Sequence, residues 1–158
     1  PALERGALDA AEWVGPYDDE KLGFHKIARH YYYPGWWEGG PQLSFYVNQI
    51  SWRALPEAYR QAFEVATAEA NQLMLAQYDA KNPPALLRLA GQGVQLHPYP
   101  KDIMLAARRA TFELYESEAK TNPDFAAIYR PWKLFRDTQF QWFKVAEAAY
   151  ANFNYYVK

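Results

Sequence analysis

From Asn122 to the end of the chain, apolar residues recur every three or four positions without interruption: Phe125, Ile128, Trp132, Phe135, Trp142, Ala146, Ala149, Phe153 and Tyr156, with Gln139 the one polar member. That period is the signature of a helix with one apolar stripe. Asn122 is placed to cap it, Pro123 suits its first turn and Asp124 meets its positive end. A helix over 123–156 is roughly 50 Å long at ~1.5 Å per residue, more than one small domain covers. Pro131 is expected to bend or divide it near its first third. Tyr129, Phe140, Phe143 and Tyr150 widen the stripe. The first half therefore serves its own lobe, and the second half reads as a surface for more protein or a second copy of the chain.

Upstream, helical signals continue back to Pro56. Tyr59, Ala62, Phe63, Ala66, Ala70, Leu73, Met74 and Tyr78 keep the helical period to about Asp79, and Asn82-Pro83-Pro84 is expected to stop it. Val94 to Pro98 reads as a short extended piece, and Pro100 starts a helix to about Lys120. The first third is different. Gly6 to Trp13 is a short apolar run that delivers Glu12 and Trp13 to its end before Gly15-Pro16 breaks it, which reads as a strand. Either Glu12 is a solvated lip carboxylate or the strand end presents a site. Asp18 and Asp19 are placed to cap a helix to about Arg29. His30 to Trp37 packs five aromatics into a stretch that suits a strand, bent by Pro34-Gly35 and followed by Glu38 in a loop. Gln42 to Ile50 alternates as a further strand. The expected fold is α/β and helix-rich, with a strand-containing segment at 1–55 and a helical segment at 56–158.

With 158 residues, 18% of them aromatic, the chain has the means for a core. Its net charge of −1 gives no electrostatic case for nucleic acid. Having no cysteine, it has neither disulfides nor thiolate metal sites. No phosphate loop, nucleophile elbow or HExxH motif occurs, and Gly91-Gln92-Gly93 lacks the spacing of a nucleotide loop. His25 and His30, five positions apart, do not share a helical face as paired ligands would, and both read as structural or solvated. The residues argue against an enzyme. The chain opens on Pro1, and Leu3-Glu4-Arg5-Gly6 looks like the closing turn of a helix, so a piece of a longer protein is expected.

Three blocks carry a family likeness: Glu4 to Pro16, Tyr31 to Glu38, and Asn48 to Pro56. They resemble consecutive stretches of the extracytoplasmic solute receptors of tripartite ATP-independent periplasmic (TRAP) transporters. The first two are similar to the branch that binds 2-oxo acids such as pyruvate, or lactate, together with a metal ion. The resemblance implies the C-terminal portion of a two-lobed, type II-like periplasmic binding fold, closing over its ligand by hinge motion. It implies that Glu12 and Glu38 give carboxylate oxygens to a sodium or calcium ion, and that Trp13 gives its backbone carbonyl to the metal and its ring to the substrate. It further implies a periplasmic location, TRAP permease subunits as partners and a homodimer through the C-terminal helix. Tyr31 to Tyr33, Trp36 and Trp37 would be cleft-wall candidates. The arginine that usually pairs with the substrate carboxylate falls in the part of such receptors preceding this chain. Two rival readings are a helix-mediated structural module and an aromatic-lined carbohydrate-binding domain that needs no metal.

Overall fold

A computed structural model describes residues 1–157. In chain order the elements are α1 (Pro16–Leu22), a short 3-10 turn (Phe24–Lys26), β1 (His30–Tyr33), α2 (Gln49–Ala54), α3 (Glu57–Gly91), β2 (Gln95–Pro98), α4 (Lys101–Thr121), α5 (Pro123–Val145) and α6 (Glu147–Tyr156). The architecture is α/β and helix-rich, as expected. Contacts divide it into two compact units, Pro1–Pro100 and Lys101–Lys158.

In the first unit β1 and β2 run parallel, with His30 beside Gln95, Tyr31 beside Leu96, Tyr32 beside His97 and Tyr33 beside Pro98. Parallel strands need a long crossover, and α2 with the 35-residue α3 supplies it. Asn48 caps α2, its Oδ1 accepting from the amides of Ile50 and Ser51. The core lies where α1 packs on the C-terminal end of α3. There Tyr78, Asn82, Ala85 and Leu89 recur at helical spacing on one face, and Ala85 and Leu89 are buried.

Three expectations need correction in this unit. The helix does not stop at Asn82-Pro83-Pro84: α3 runs through both prolines to Gly91. The backbone bonds that proline forfeits there are offset by tertiary ones, since this turn is where α1 docks and where Ala85 and Leu89 are buried. Neither the 6–13 run nor the 42–50 run is a strand. Residues 8–13 and 41–48 are irregular, and 49–50 already belong to α2. Among the described residues no chain lies alongside either run to share a ladder, and alternation without a partner leaves backbone groups to water. Leu43, Phe45 and Tyr46 are accordingly exposed. Thirdly, the helix expected to Arg29 ends at Leu22. Gly23 takes φ +75°, its amide bonds back to the carbonyls of Asp19 and Glu20, and a 3-10 turn follows.

The Leu3–Gly6 turn does carry helix-closing geometry. Ala7 donates to the Ala2 carbonyl at 2.9 Å and Gly6, at φ +69°, to Leu3 at 3.1 Å, the two bonds of a Schellman motif.

In the second unit α4 packs on α5 and α5 meets α6. Asn122 caps α5 as expected, accepting from the Phe125 amide at 3.1 Å. Tyr115 of α4 meets the rings of Phe125, Tyr129 and Trp132 at centroid distances of 5.6–6.2 Å, within the range of favourable aromatic pairing. Glu116 accepts from the Tyr129 hydroxyl at 3.0 Å and from the Lys133 ammonium. The inward face is thus centred on buried Ala126 and Tyr129, while Ile128, placed on the stripe by sequence, is 73% exposed. Pro131 lies inside α5, and the long helix divides instead at Ala146, whose φ −98° and ψ −104° leave the helical region.

Candidate functional site

Glu12 and Trp13 are both exposed and lie just ahead of α1. The helix that follows them, α1, is docked through each of its first five residues except Pro16. The Tyr17 amide donates to Asn82 Oδ1 at 3.1 Å. Asp18 accepts from the Tyr78 hydroxyl at 2.6 Å. Glu20 takes a two-pronged bond from Arg88 at 2.8 and 2.6 Å, a geometry that adds direction as well as energy. Asp19 turns the other way and accepts from the Tyr31 hydroxyl of β1 at 2.5 Å. Neither aspartate caps α1, contrary to expectation; both side chains are spent on tying α1 to its neighbours.

Asp19 is 6% exposed, and its second oxygen, Oδ1, has no hydrogen-bond partner. Burial pushes its carboxyl above the usual range, outweighing the Tyr31 hydrogen bond, and the negative charges of Asp18 and Glu12 push in the same direction. Tyr31 is pushed up in turn, first by burial and then by the carboxylate it bonds. Its hydroxyl is committed to the α1 junction.

Tyr32 and Tyr33 are exposed, and Tyr32 lies over the His97 ring at 5.1 Å and the Tyr99 ring at 5.3 Å. Trp36 and Trp37 meet edge to face at 5.4 Å, and the Glu38 that follows is exposed. The chain makes Glu12 and Trp13 neighbours; no hydrogen bond or ion pair joins Glu38 to either among the described residues.

The donor chemistry suits a hard cation. Glu12 and Glu38 are exposed carboxylates that no salt bridge or hydrogen bond engages among the described residues; calcium takes about six to eight oxygen ligands. Among the described residues no three His, Cys, Asp or Glu side chains gather as a metal cluster. Two carboxylates and a carbonyl are thus part of a shell, the remainder being left to other oxygens.

Sequence reasoning missed Asp19 as a buried group and missed the meeting of His30 with His97, whose ring nitrogens are 3.0 Å apart. Both depend on β1: strand alternation sends Tyr31 to one face and His30 with Tyr32 to the other. The alternation was legible in the sequence, and so was the extended piece at Val94 to Pro98, but their pairing across more than sixty positions was not.

Comparison with known proteins gives a consistent picture. Residues 1–122 match the family model described as bacterial extracellular solute-binding protein, family 7. A monocarboxylate 2-oxoacid-binding periplasmic protein of Nostoc sp. (strain PCC 7120) is 53% identical over 152 residues, covering 96% of this chain and 42% of that protein. A TRAP transporter solute-binding protein from Bordetella bronchiseptica RB50, a mixed-occupancy dimer with copurified calcium and picolinate in one active site, is 48% identical with a TM-score of 0.92; the match covers 98% of this chain and 46% of that one. A TRAP periplasmic solute-binding protein from Pseudoalteromonas atlantica T6c with bound sodium and pyruvate is 36% identical with a TM-score of 0.88, covering 96% and 46%. The chain thus spans less than half the length of these relatives.

Proposed function

Because the chain belongs to the family 7 bacterial extracellular solute-binding proteins, we propose that it is the C-terminal portion of a periplasmic TRAP receptor for a small 2-oxo or 2-hydroxy monocarboxylate of the pyruvate or lactate type, held together with a sodium or calcium ion. The observation that carries this reading is the pair of unengaged, exposed carboxylates, Glu12 and Glu38, in a chain that is 53% identical to a 2-oxoacid-binding protein. The role is capture and delivery to a membrane permease, not catalysis.

Glu12, Trp13 and Glu38 are the residues assigned to the site. The ion supplies the positive charge that lets a carboxylate ligand sit beside two glutamates. Glu12 and Glu38 contribute anionic oxygens, and the Trp13 carbonyl adds a neutral one. The Trp13 indole, 55% exposed, offers an apolar wall that a short acyl chain covers. Glu12 and Trp13 lie just ahead of α1, which is anchored by bonds to Asn82, Tyr78, Arg88 and Tyr31. In this reading residues 1–55 bear the cleft side of the receptor and 56–158 its helical part. The exposed apolar side of α5 and α6 supports a homodimer through the C-terminal helix, and the Bordetella relative is itself a dimer.

The test is a titration of the full-length receptor with pyruvate, followed by tryptophan fluorescence, with and without calcium or sodium. A micromolar response that requires the ion, and that weakens about tenfold or more in Glu12→Gln or Glu38→Gln, is expected, tenfold being ~1.4 kcal/mol. Affinity unchanged in both variants would remove these residues from the site. A response to sugars independent of metal would favour the carbohydrate-binding alternative.

A further inference from the structure

On the face of the β1–β2 pair opposite Asp19, two imidazoles converge. His30 Nδ1 and His97 Nε2 stand 3.0 Å apart, with ring centroids at 5.2 Å. The strand register explains the meeting. Tyr32 sits directly beside His97, so His30, two residues back on the same face, reaches His97 along the diagonal. Tyr32 covers one side of the His97 ring and also contacts Tyr99, which limits the rotamers open to His97. His30 is exposed and His97 half-buried, so the edge between them opens to solvent.

We propose that His30 and His97 form a two-imidazole binding site for a divalent transition-metal ion of tetragonal preference, Cu2+ or Ni2+. Two nitrogens at this separation, each bonded at about 2.0–2.1 Å, subtend about 90° at the metal, whereas a tetrahedral ion needs nearly 3.3 Å between them. A right angle is the cis arrangement of square-planar and tetragonal fields, and imidazole nitrogen suits copper and nickel. The ordering of divalent affinities also places Cu2+ highest. Protons balance without an outside base. When the rings are neutral and hydrogen-bonded, one N–H lies between them; metal binding moves that proton to the outer nitrogen of the same ring, and rotation of the two rings then turns both freed lone pairs off the line between them and onto the ion. Water fills the remaining positions. The donor type separates this site from the oxygen ligands of Glu12 and Glu38: calcium and sodium do not compete for imidazole, and copper at the histidines leaves the carboxylates free.

The experiment adds one equivalent of Cu2+ to the full-length protein in excess calcium and reads the electron paramagnetic resonance spectrum. Hyperfine splitting from two equatorial imidazole nitrogens is expected; none, or one, overturns the proposal without recourse to any variant. Competitive titration then compares variants. His30→Gln and His97→Gln should each weaken Cu2+ by more than about tenfold, since even outer partners of metal ligands are worth about 10–100-fold. His25→Gln and Glu12→Gln should bind as the parent does. Equal loss in His25→Gln, or none in the His30 and His97 variants, also overturns it. Pyruvate binding with calcium should survive His97→Gln, so failure here and failure of the receptor function are read separately.

Discussion

Asp19 sits in a first helical turn, where sequence places carboxylates for capping, yet it is buried with one oxygen unbonded. With its folded-state carboxyl raised above the ordinary value, the native protein holds a proton in a pH window where the unfolded chain has lost it. Stability from this group is therefore greatest below the ordinary carboxylate value and declines as pH rises through the raised one. Glu20 and Glu116 run the other way: hydrogen bonds from Arg88 and from Lys133 lower them, so their contributions are present at neutral pH and fade on acidification. Asp19→Asn keeps an acceptor for Tyr31 and removes the buried charge. Its stability relative to the parent should rise as pH increases from about 4 to 7, as read from urea midpoints. A difference that stays flat across that range would sink the assignment. Nothing in the local sequence Pro16-Tyr17-Asp18-Asp19 distinguishes the buried aspartate from its neighbour, because the distinction is made by Tyr31. Glu12, Trp13 and Glu38 were singled out by the likeness of their blocks to a family; spacing alone left Glu12 either a lip carboxylate or part of a site.

Helices were legible wherever period and caps agreed: α4 starts one residue after Pro100, and α5 starts at Pro123 behind its Asn122 cap. Strands were legible only where a partner exists. His30–Tyr33 and Gln95–Pro98 pair with each other, while the equally apolar 6–13 and the alternating 42–50 pair with nothing described and stay irregular. The Pro83-Pro84 step misled for the converse reason, since packing against α1 overrode a local breaker. That packing can be weighed. Leu89, 1% exposed at the α1 end of α3, should cost about 2–5 kcal/mol on truncation to alanine. Leu87, two residues away and 74% exposed, should cost no more than about 0.5 kcal/mol. Denaturant unfolding of the two variants compares them directly; equal losses would mean that the face of α3 carrying Leu89 is not the buried one.

At the scale of the whole molecule, exposed apolar side chains recur along the chain, and in the C-terminal helices Trp142, Tyr150, Phe153 and Tyr156 are all more than 60% exposed. If the C-terminal helix is the dimer seam, Phe153→Asp should turn the full-length receptor monomeric in sedimentation while leaving its circular dichroism unchanged, since the side chain it replaces contributes little to the fold of one chain. A dimer that persists would place the seam elsewhere. The sequence anticipated an unbroken stripe to the end and a bend or division near Pro131; the division falls at Ala146, whose backbone departs from helix. The angular count begun at Pro123 consequently does not carry across to Glu147. Trp142 and Phe153, which share a line on a helical wheel, are aimed independently, and whatever meets one of them is under no geometric obligation to meet the other.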